Sequence, residues 1–466
     1  MQSDQCDNST KRAALIAAVM ASFITPFMGS SINIALPSIG DEFSMDAILI
    51  GWVATSYLLG AAVFLVPAGK LSDIIGRKKI FTWGFAVYSI GSLLCGLATG
   101  SFSLILYRII QSIGSAMIFS TGIAILTSVY PVGERGKVLG ISVASVYFGL
   151  TIGPFLGGVM TDQLGWRSIF LANVLLGLIT LVVVMAMLKG EWAESRGDSF
   201  DLGGSVIYGI SLAAIIYGLS VLPAPTGLWL LIAGLVGIFI FIALELRIRT
   251  PVLDIKLFKG NLTFGFSNLA ALLNYSATFG VTFLMSLYLQ DVRGFNPQYA
   301  GLILIAQPVM MTVFSPFAGK LSDRIEPQVV ASVGMAILAA GLSALVFVTE
   351  LTPIWLIVII LLVFGLGYAL FSSPNTNAIM SSVEKRYYGV ASATLATMRM
   401  VGQMLSMGIA MLVFSLIIGK VEITPDIHDK FMVSMKTAFV IFAALCVVGI
   451  FASLARGKIR PVIRTD

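Results

Sequence analysis

About 14 stretches of mostly apolar residues, divided by short polar loops, decide what this chain can become. Each is close to the roughly 20 residues a helix needs to cross a bilayer. Inside lipid every backbone N–H and C=O needs an internal partner, so each run reads as a helix. Of the 466 residues 58% are hydrophobic and only 11% charged, whereas an ordinary soluble domain carries about 25% charge. So few charges cannot cover a soluble surface, and the chain needs lipid as its solvent. The expected fold class is all-α integral membrane, with about 14 transmembrane helices.

Between two of these runs lies Gly69-Lys70-Leu71-Ser72-Asp73-Ile74-Ile75-Gly76-Arg77-Lys78-Lys79, which reads as a short loop at a membrane surface. Its four basic residues put it in the cytoplasm by the positive-inside rule. Gly69 and Gly76 would let two helix ends approach, and Asp73 can accept hydrogen bonds from a helix N-terminus. The letters Gly-Lys-Leu-Ser-Asp return from Gly319 to Asp323, an offset of 250 residues. Gly136, after Glu134-Arg135, matches Gly389, after Lys385-Arg386, at an offset of 253. A repeat at that spacing in a chain of spans marks a transporter built from two parallel halves.

Six spans between residues 13 and 188 therefore correspond to six between 262 and 455, and two more, near 202–222 and 228–247, form an inserted hairpin. The expected organisation is two six-helix pseudo-symmetric halves, 1–190 and 256–466, with the hairpin and its linkers in 191–255. Of the 29 Lys and Arg, roughly 22 lie in loops on the side of the termini and about 5 opposite, so both termini are expected in the cytoplasm of a cell-membrane protein.

Other chemistry finds little support. The net charge of +6 comes from short loops between apolar runs, a topology signal that argues against a nucleic-acid partner. Cys6, Cys95 and Cys446 have no spacing for a bridge or a metal site. The single histidine, His428, sits among acids in a polar loop. A GxxxxGK loop for nucleotide phosphates is missing. No enzyme activity, cofactor or metal is expected. Twelve largely polar residues precede an apolar run too long for a signal peptide, so no cleaved leader is expected.

Charges and amides inside the spans are the candidate working parts. Arg108 lies roughly 9 Å along its helix, with Gln111 three residues on along the same face. An Arg at a helix centre costs about 2.5–3.5 kcal/mol unless it faces protein or water, so a cavity position is expected for it, with snorkelling to the outer headgroups as the alternative. Arg399 is roughly 18 Å from its helix start, near the bilayer centre, with Gln403 one turn on; it reads as a cavity cation or as a helix-to-helix hydrogen bond. Asn33, Asn268, Asn274, Gln307, Asn375 and Asn377 are further lining candidates. Gly149, Gly153 and Gly157 recur every four residues as a packing stripe, and Pro154 should bend that helix before Gly157-Gly158. Acids are confined to span ends, as with Asp162, Asp201, Glu245, Asp254 and Asp291, so the cavity should be neutral to positive.

With these motifs the chain resembles the major facilitator superfamily, in particular its fourteen-helix drug/proton antiporters of the multidrug-efflux type, along nearly its whole length. The resemblance implies that Gly69, Asp73, Gly76, Arg77 and Lys78 form a cytoplasmic latch, with Asp73 facing the helix that starts near Tyr388. It also implies that Gly149, Gly153, Pro154, Gly157 and Gly158 are the antiporter motif, lying against the opposite half. Two departures stand out. Met28 replaces the Asp that precedes Asn33 by five residues in the family, and Ser112 replaces a usual Gly. Met28 can neither attract a cation nor carry a proton, so weak recognition of permanent cations is expected, with any proton coupling left to acids such as Asp201 or Glu245.

The leading expectation is a secondary transporter that exports amphipathic small molecules by alternating access, proton-coupled in the resemblance. Its transport cavity would include Met28, Asn33, Arg108, Gln111, Arg399 and Gln403. Uptake or exchange of an anionic metabolite, with both arginines as counter-charges, is the second expectation. A non-transporting receptor or structural protein would need neither the buried arginines nor the repeated loop.

Overall fold

Apolar runs do become helices, and several reach well past their hydrophobic ends. A computed structural model describes residues 8–130, 132–193, 197, 199–248, 251, 258, 260–384, 388–419, 421 and 423–457. Among them there is no strand. The first six helices are α1 (Asn8–Phe43), α2 (Ala47–Ile75), α3 (Arg77–Gly96), α4 (Ser101–Val129), α5 (Val132–Leu164) and α6 (Arg167–Met187). A hairpin of α7 (Leu202–Val221) and α8 (Pro225–Glu245) follows. Then come α9 (Leu262–Leu287, prolonged by a π turn Tyr288–Val292), α10 (Pro297–Leu304) and α11 (Ala306–Arg324). The last are α12 (Pro327–Val346), α13 (Ile354–Ser381), α14 (Tyr388–Ile417) and α15 (His428–Ala455).

Thirteen of these spans are long and apolar enough to cross a membrane, with α10 and α11 counted as one. The 20-residue α3, whose first turn is Arg77-Lys78-Lys79, fills the remaining expected position. The break between α10 and α11 at Ile305 was not expected. Pro308 has no N–H to give the Leu304 carbonyl, so the ladder opens there. Polar residues start several helices: Asp46 Oδ1 accepts from the Ile48 and Leu49 amides, and Asn296 Oδ1 from the Tyr299 amide.

The Gly69–Lys79 stretch is not a loop. Gly69 to Ile75 are the last turns of α2, Arg77 opens α3, and Gly76 alone separates them. Its φ of 129° lies in a region a side chain strains to reach, so one glycine replaces a longer turn.

Helices 1–6 pack as α1 on α5, α2 on α4, and α3 on α4 and α6. The late helices repeat the pattern, with α9 on α14, α11 on α13, and α12 on α13 and α15. Glycines set the closest crossings. At α3–α4 a Cβ on Gly114 would strike the Tyr88 amide nitrogen and come within 2.7 Å of the Gly84 carbonyl. At α12–α13 a Cβ on Gly334 would be 2.6 Å from the Phe371 nitrogen and 2.7 Å from the Gly367 carbonyl. The hairpin lies along α2 and α14: the Tyr208 hydroxyl donates to the Ala62 carbonyl, Ser415 to the Leu222 carbonyl, and Gly408 faces Ile216 and Leu219.

α1 begins and α15 ends on one face of the bundle, called the terminal face below; the other is the distal face. On the distal side, early and late helices meet directly. Gln290 Nε2 donates to the Ile34 carbonyl at 3.0 Å, and the Ala47 amide to the Val421 carbonyl at 3.3 Å. A Cβ on Gly51 would be 2.8 Å from Met411, and one on Gly158 would be 2.5 Å from the Pro297 carbonyl.

Candidate transport cavity

A cavity of about 170 Å³ lies between the early and the late helices, far larger than the roughly 10–15 Å³ one water needs. Its walls come from α1, α2, α4 and α5 on one side and α9, α11, α13 and α14 on the other. The distal contacts between the two sets close it on that side.

Four of the six expected cavity residues line it: Asn33, Arg108, Arg399 and Gln403. Arg108 is only 1% exposed and is held by two hydrogen bonds. Its Nε donates to the Val53 carbonyl on α2 at 3.1 Å, and Nη1 to Gln111 Oε1 at 2.6 Å. The guanidinium lies 4.3 Å from the centre of the Tyr57 ring, whose hydroxyl is bonded to Ser115 at 2.6 Å. Arg399 is more open. Its guanidinium sits 5.4 Å from the Phe119 ring on α4 and 5.9 Å from the Tyr275 ring on α9. Asn33 is buried on the wall with Oδ1 unpartnered.

Two expected residues do not line the cavity. Met28 is fully buried in the apolar core of the bundle, while its neighbours Thr25, Gly29 and Ile32 form the wall. Gln111 turns toward α3, where its Nε2 donates to Ser92 at 2.7 Å, so it holds Arg108 and does not face the cavity. A three-residue step leaves the two side chains only about 60° apart around the helix, near enough for Gln111 to bond Arg108 while itself packing against α3. Of the additional amides only Gln307 reaches the wall. Asn268 and Asn274 are buried elsewhere on α9, Asn375 accepts from Arg456 at 2.8 Å, and Asn377 donates to Ser322 at 3.0 Å. Asp201 and Glu245 flank Gly204 at the terminal end of the hairpin, outside the cavity wall.

The glycine stripe needs a correction. A Cβ on Gly149 would be 2.7 Å from the Phe23 carbonyl, one on Gly153 would strike Ser30, and one on Gly157 would be 2.8 Å from the Ser31 Cα. All three therefore pack α5 on α1, within the same set of helices. Only Pro154 and Gly158, on another side of α5, meet the late helices, at Gly301 and Pro297.

At the terminal face, Asp73 Oδ1 accepts from Arg77 Nε at 3.1 Å and Nη2 at 2.9 Å. Arg77 Nη1 donates to Ser128 Oγ on α4 at 2.6 Å. Glu191 caps α3 by accepting the Lys78 amide at 2.8 Å, and the Arg77 amide donates to the Trp192 carbonyl at 2.8 Å. A Cβ on Gly69 would be 3.8 Å from Ser120. The partner found for Asp73 is thus Arg77 of its own segment; residues 385–387, just before the α14 start that it was expected to face, lie outside the described residues.

The Major Facilitator Superfamily model matches residues 18–407 and 267–464. The chain belongs to the major facilitator superfamily.

Superfamily relatives include the riboflavin transporter RibZ of Clostridioides difficile, 31% identical over 84% of this chain and 85% of RibZ. The multidrug resistance protein Stp of Mycobacterium tuberculosis is also 31% identical, over 85% of this chain and 74% of Stp. In fold, the chain is similar to a bacterial homologue of the human lysosomal transporter Spinster, with a TM-score of 0.68, 17% identity and coverage of 97% and 98%. Superfamily and fold are those of multi-pass transporters of small molecules, not of enzymes. Reading the sequence missed the aromatic neighbours of the superfamily cavity's arginines, Tyr57, Phe119, Tyr275 and Tyr368, and the Glu191–Trp192 clasp on α3. Aromatic residues are common in any span and carry no facing signal, and Glu191 lies 113 residues from the amide it caps.

Proposed function

We propose that this protein is a secondary active exporter of amphipathic small molecules that works by alternating access in a cell membrane. Residues 1–190 and 256–466 act as the two moving halves, and 191–255 carry the hairpin between them. The observation that carries the reading is the mid-span cavity between the two helix sets, closed by protein on the distal side. The basic loops of the terminal face support a cytoplasmic position for both termini. Export is favoured by the likeness to Stp, a multidrug resistance protein, and protons as the driving ion by the resemblance to drug/proton antiporters. RibZ widens the substrate class to planar heteroaromatic molecules, which suit a wall of tyrosines with Asn33, Gln307 and Gln403 at its polar points. Uptake or exchange of an anionic metabolite is the second reading, favoured by two wall arginines with no carboxylate among the described lining residues.

In cells making the protein, accumulation of a fluorescent amphipathic dye is expected to fall, and a protonophore to cancel the fall. A rise in accumulation would indicate uptake, and no change would overturn both readings.

The terminal-face segment acts in this scheme as a latch that favours the outward-open state. Asp73→Asn keeps the shape and removes a charge that is worth roughly 0.3–1 kcal/mol at a helix end. The inward-open population should rise up to about fivefold, read as faster labelling of a cysteine placed on the terminal side of the cavity. Labelling equal to the parent's would remove the latch role from Asp73.

A further inference from the structure

We infer that Arg399 is the docking point for an anionic group, a carboxylate or phosphate, on a planar aromatic substrate. This deepens the transport reading above and rests on it. The cavity holds two arginines of very different standing. Arg108 gives Nε to the Val53 carbonyl and Nη1 to Gln111 and lays its guanidinium on Tyr57, so it is tied to the protein on two sides. It is a built-in strut. Arg399 has rings at 5.4 and 5.9 Å, and its near polar neighbours are the hydroxyls of Tyr275, within hydrogen-bonding reach, Tyr368 and Tyr147. Among the described residues lining the cavity there is no Asp or Glu.

A guanidinium offers five N–H donors in a flat fork, so one donor toward the Tyr275 hydroxyl and stacking on rings still leave others at its edge. A carboxylate or phosphate fills two of them at once, and both charges gain from leaving water together. The rings then serve the rest of the ligand. Phe119 belongs to α4 and Tyr275 to α9, so a flat molecule bound at Arg399 touches both sets of helices. Gln403, one turn along α14, and the unpartnered Asn33 Oδ1 across the cavity supply polar contacts at its edges. Arg399 is roughly 16 Å from the start of its helix. That depth is beyond the headgroup layer, so the anion belongs to a molecule in the cavity and not to a lipid headgroup. Arginine keeps its charge at every working pH, so the preference does not titrate.

Three probes with one ring system test the inference by binding alone: anthracene-9-carboxylate, anthracene-9-carboxamide and anthracen-9-ylmethylammonium. Their fluorescence is followed on the purified full chain in nanodiscs of zwitterionic lipid, then of anionic lipid. The carboxylate should bind at least about tenfold more tightly than the ammonium in both lipids. Arg399→Gln should bring that ratio near one while carboxamide binding holds, and Arg399→Lys should keep part of the preference. Equal binding of carboxylate and ammonium by the parent, or an unchanged ratio in Arg399→Gln, would overturn the inference. Loss of the preference only in anionic lipid would assign the site to headgroups and overturn it too. Should the variants fail to purify, the parent's ranking of the three probes decides. A protein that ranks them as expected yet moves no dye refutes export and leaves this site standing. One that exports dyes with no charge ranking does the reverse.

Discussion

Gly301→Val is expected to leave the protein folded in the membrane but unable to close its distal side. The obstacle is backbone: a Cβ on Gly301 would strike the Pro154 carbonyl oxygen and lie 3.0 Å from its carbon. Facing it, a Cβ on Gly158 would be 3.0 Å from the Gln298 Cα. No rotamer change relieves such contacts, so α10 must move off α5. This crossing joins early to late helices, whereas α5 keeps its own seat on α1 through Gly149, Gly153 and Gly157. Overpacking of this kind costs about 1–3 kcal/mol, a population shift of roughly 5- to 150-fold toward a distal-open form. Thr282→Cys on the cavity wall should then react faster with an impermeant thiol reagent from the distal side, and transport should fall at least about tenfold. Parent-like labelling and transport would show that the α5–α10 crossing does not set closure.

Arg108→Ala should lower stability and transport together. Its loss strands Gln111 Oε1, takes one donor from the Val53 carbonyl, and releases a bond chain that runs from α2 through Arg108 and Gln111 to Ser92 on α3. Hydrogen bonds to charged groups contribute about 1.5–3 kcal/mol each, so a loss of about 2–4 kcal/mol is expected. Arg108→Lys should recover little, because a compact ammonium cannot replace a fork that bonds two helices and covers the Tyr57 ring. Melting of the purified variants in detergent, alongside flux, provides the measurement. A parent-like Tm for Arg108→Ala would mean that the bond chain is not a strut.

The spans were legible in the sequence because lipid permits only one solution for a long apolar run. So was the repeat, and it recurs in places the motifs did not cover. Gly84 and Gly334, at the α3–α4 and α12–α13 crossings, are 250 residues apart, and Gly114 and Gly367 are 253 apart. That Arg399 and Gln403 stand in the interior of α14 also followed from counting residues. Facing did not. Lipid and protein core are both apolar, so a helix such as α1 carries no polar stripe to show that Thr25 and Gly29 face the cavity and Met28 does not. The same blindness hid which side of α5 meets which partner. Gly153 and Gly158 differ by five residues, about 140° around the helix, and that turn separates α1 from α10. The one-residue link at Gly76 was hidden because a polar stretch at a membrane surface reads as loop whether or not its backbone is helical.

Because α7 and α8 lie along α2 and α14, the two flanks of the molecule present different walls to acyl chains. On the α5–α11 flank, where Thr151 meets Thr312 at 2.8 Å, a single helix layer separates bilayer from cavity. On the other flank the hairpin adds a second layer about 8–10 Å thick, with Trp229 and Phe239 turned outward. A solute already dissolved in the membrane therefore has one short sideways path and one obstructed path. Any solute entering the cavity sideways from lipid would have the shorter way across the α5–α11 flank.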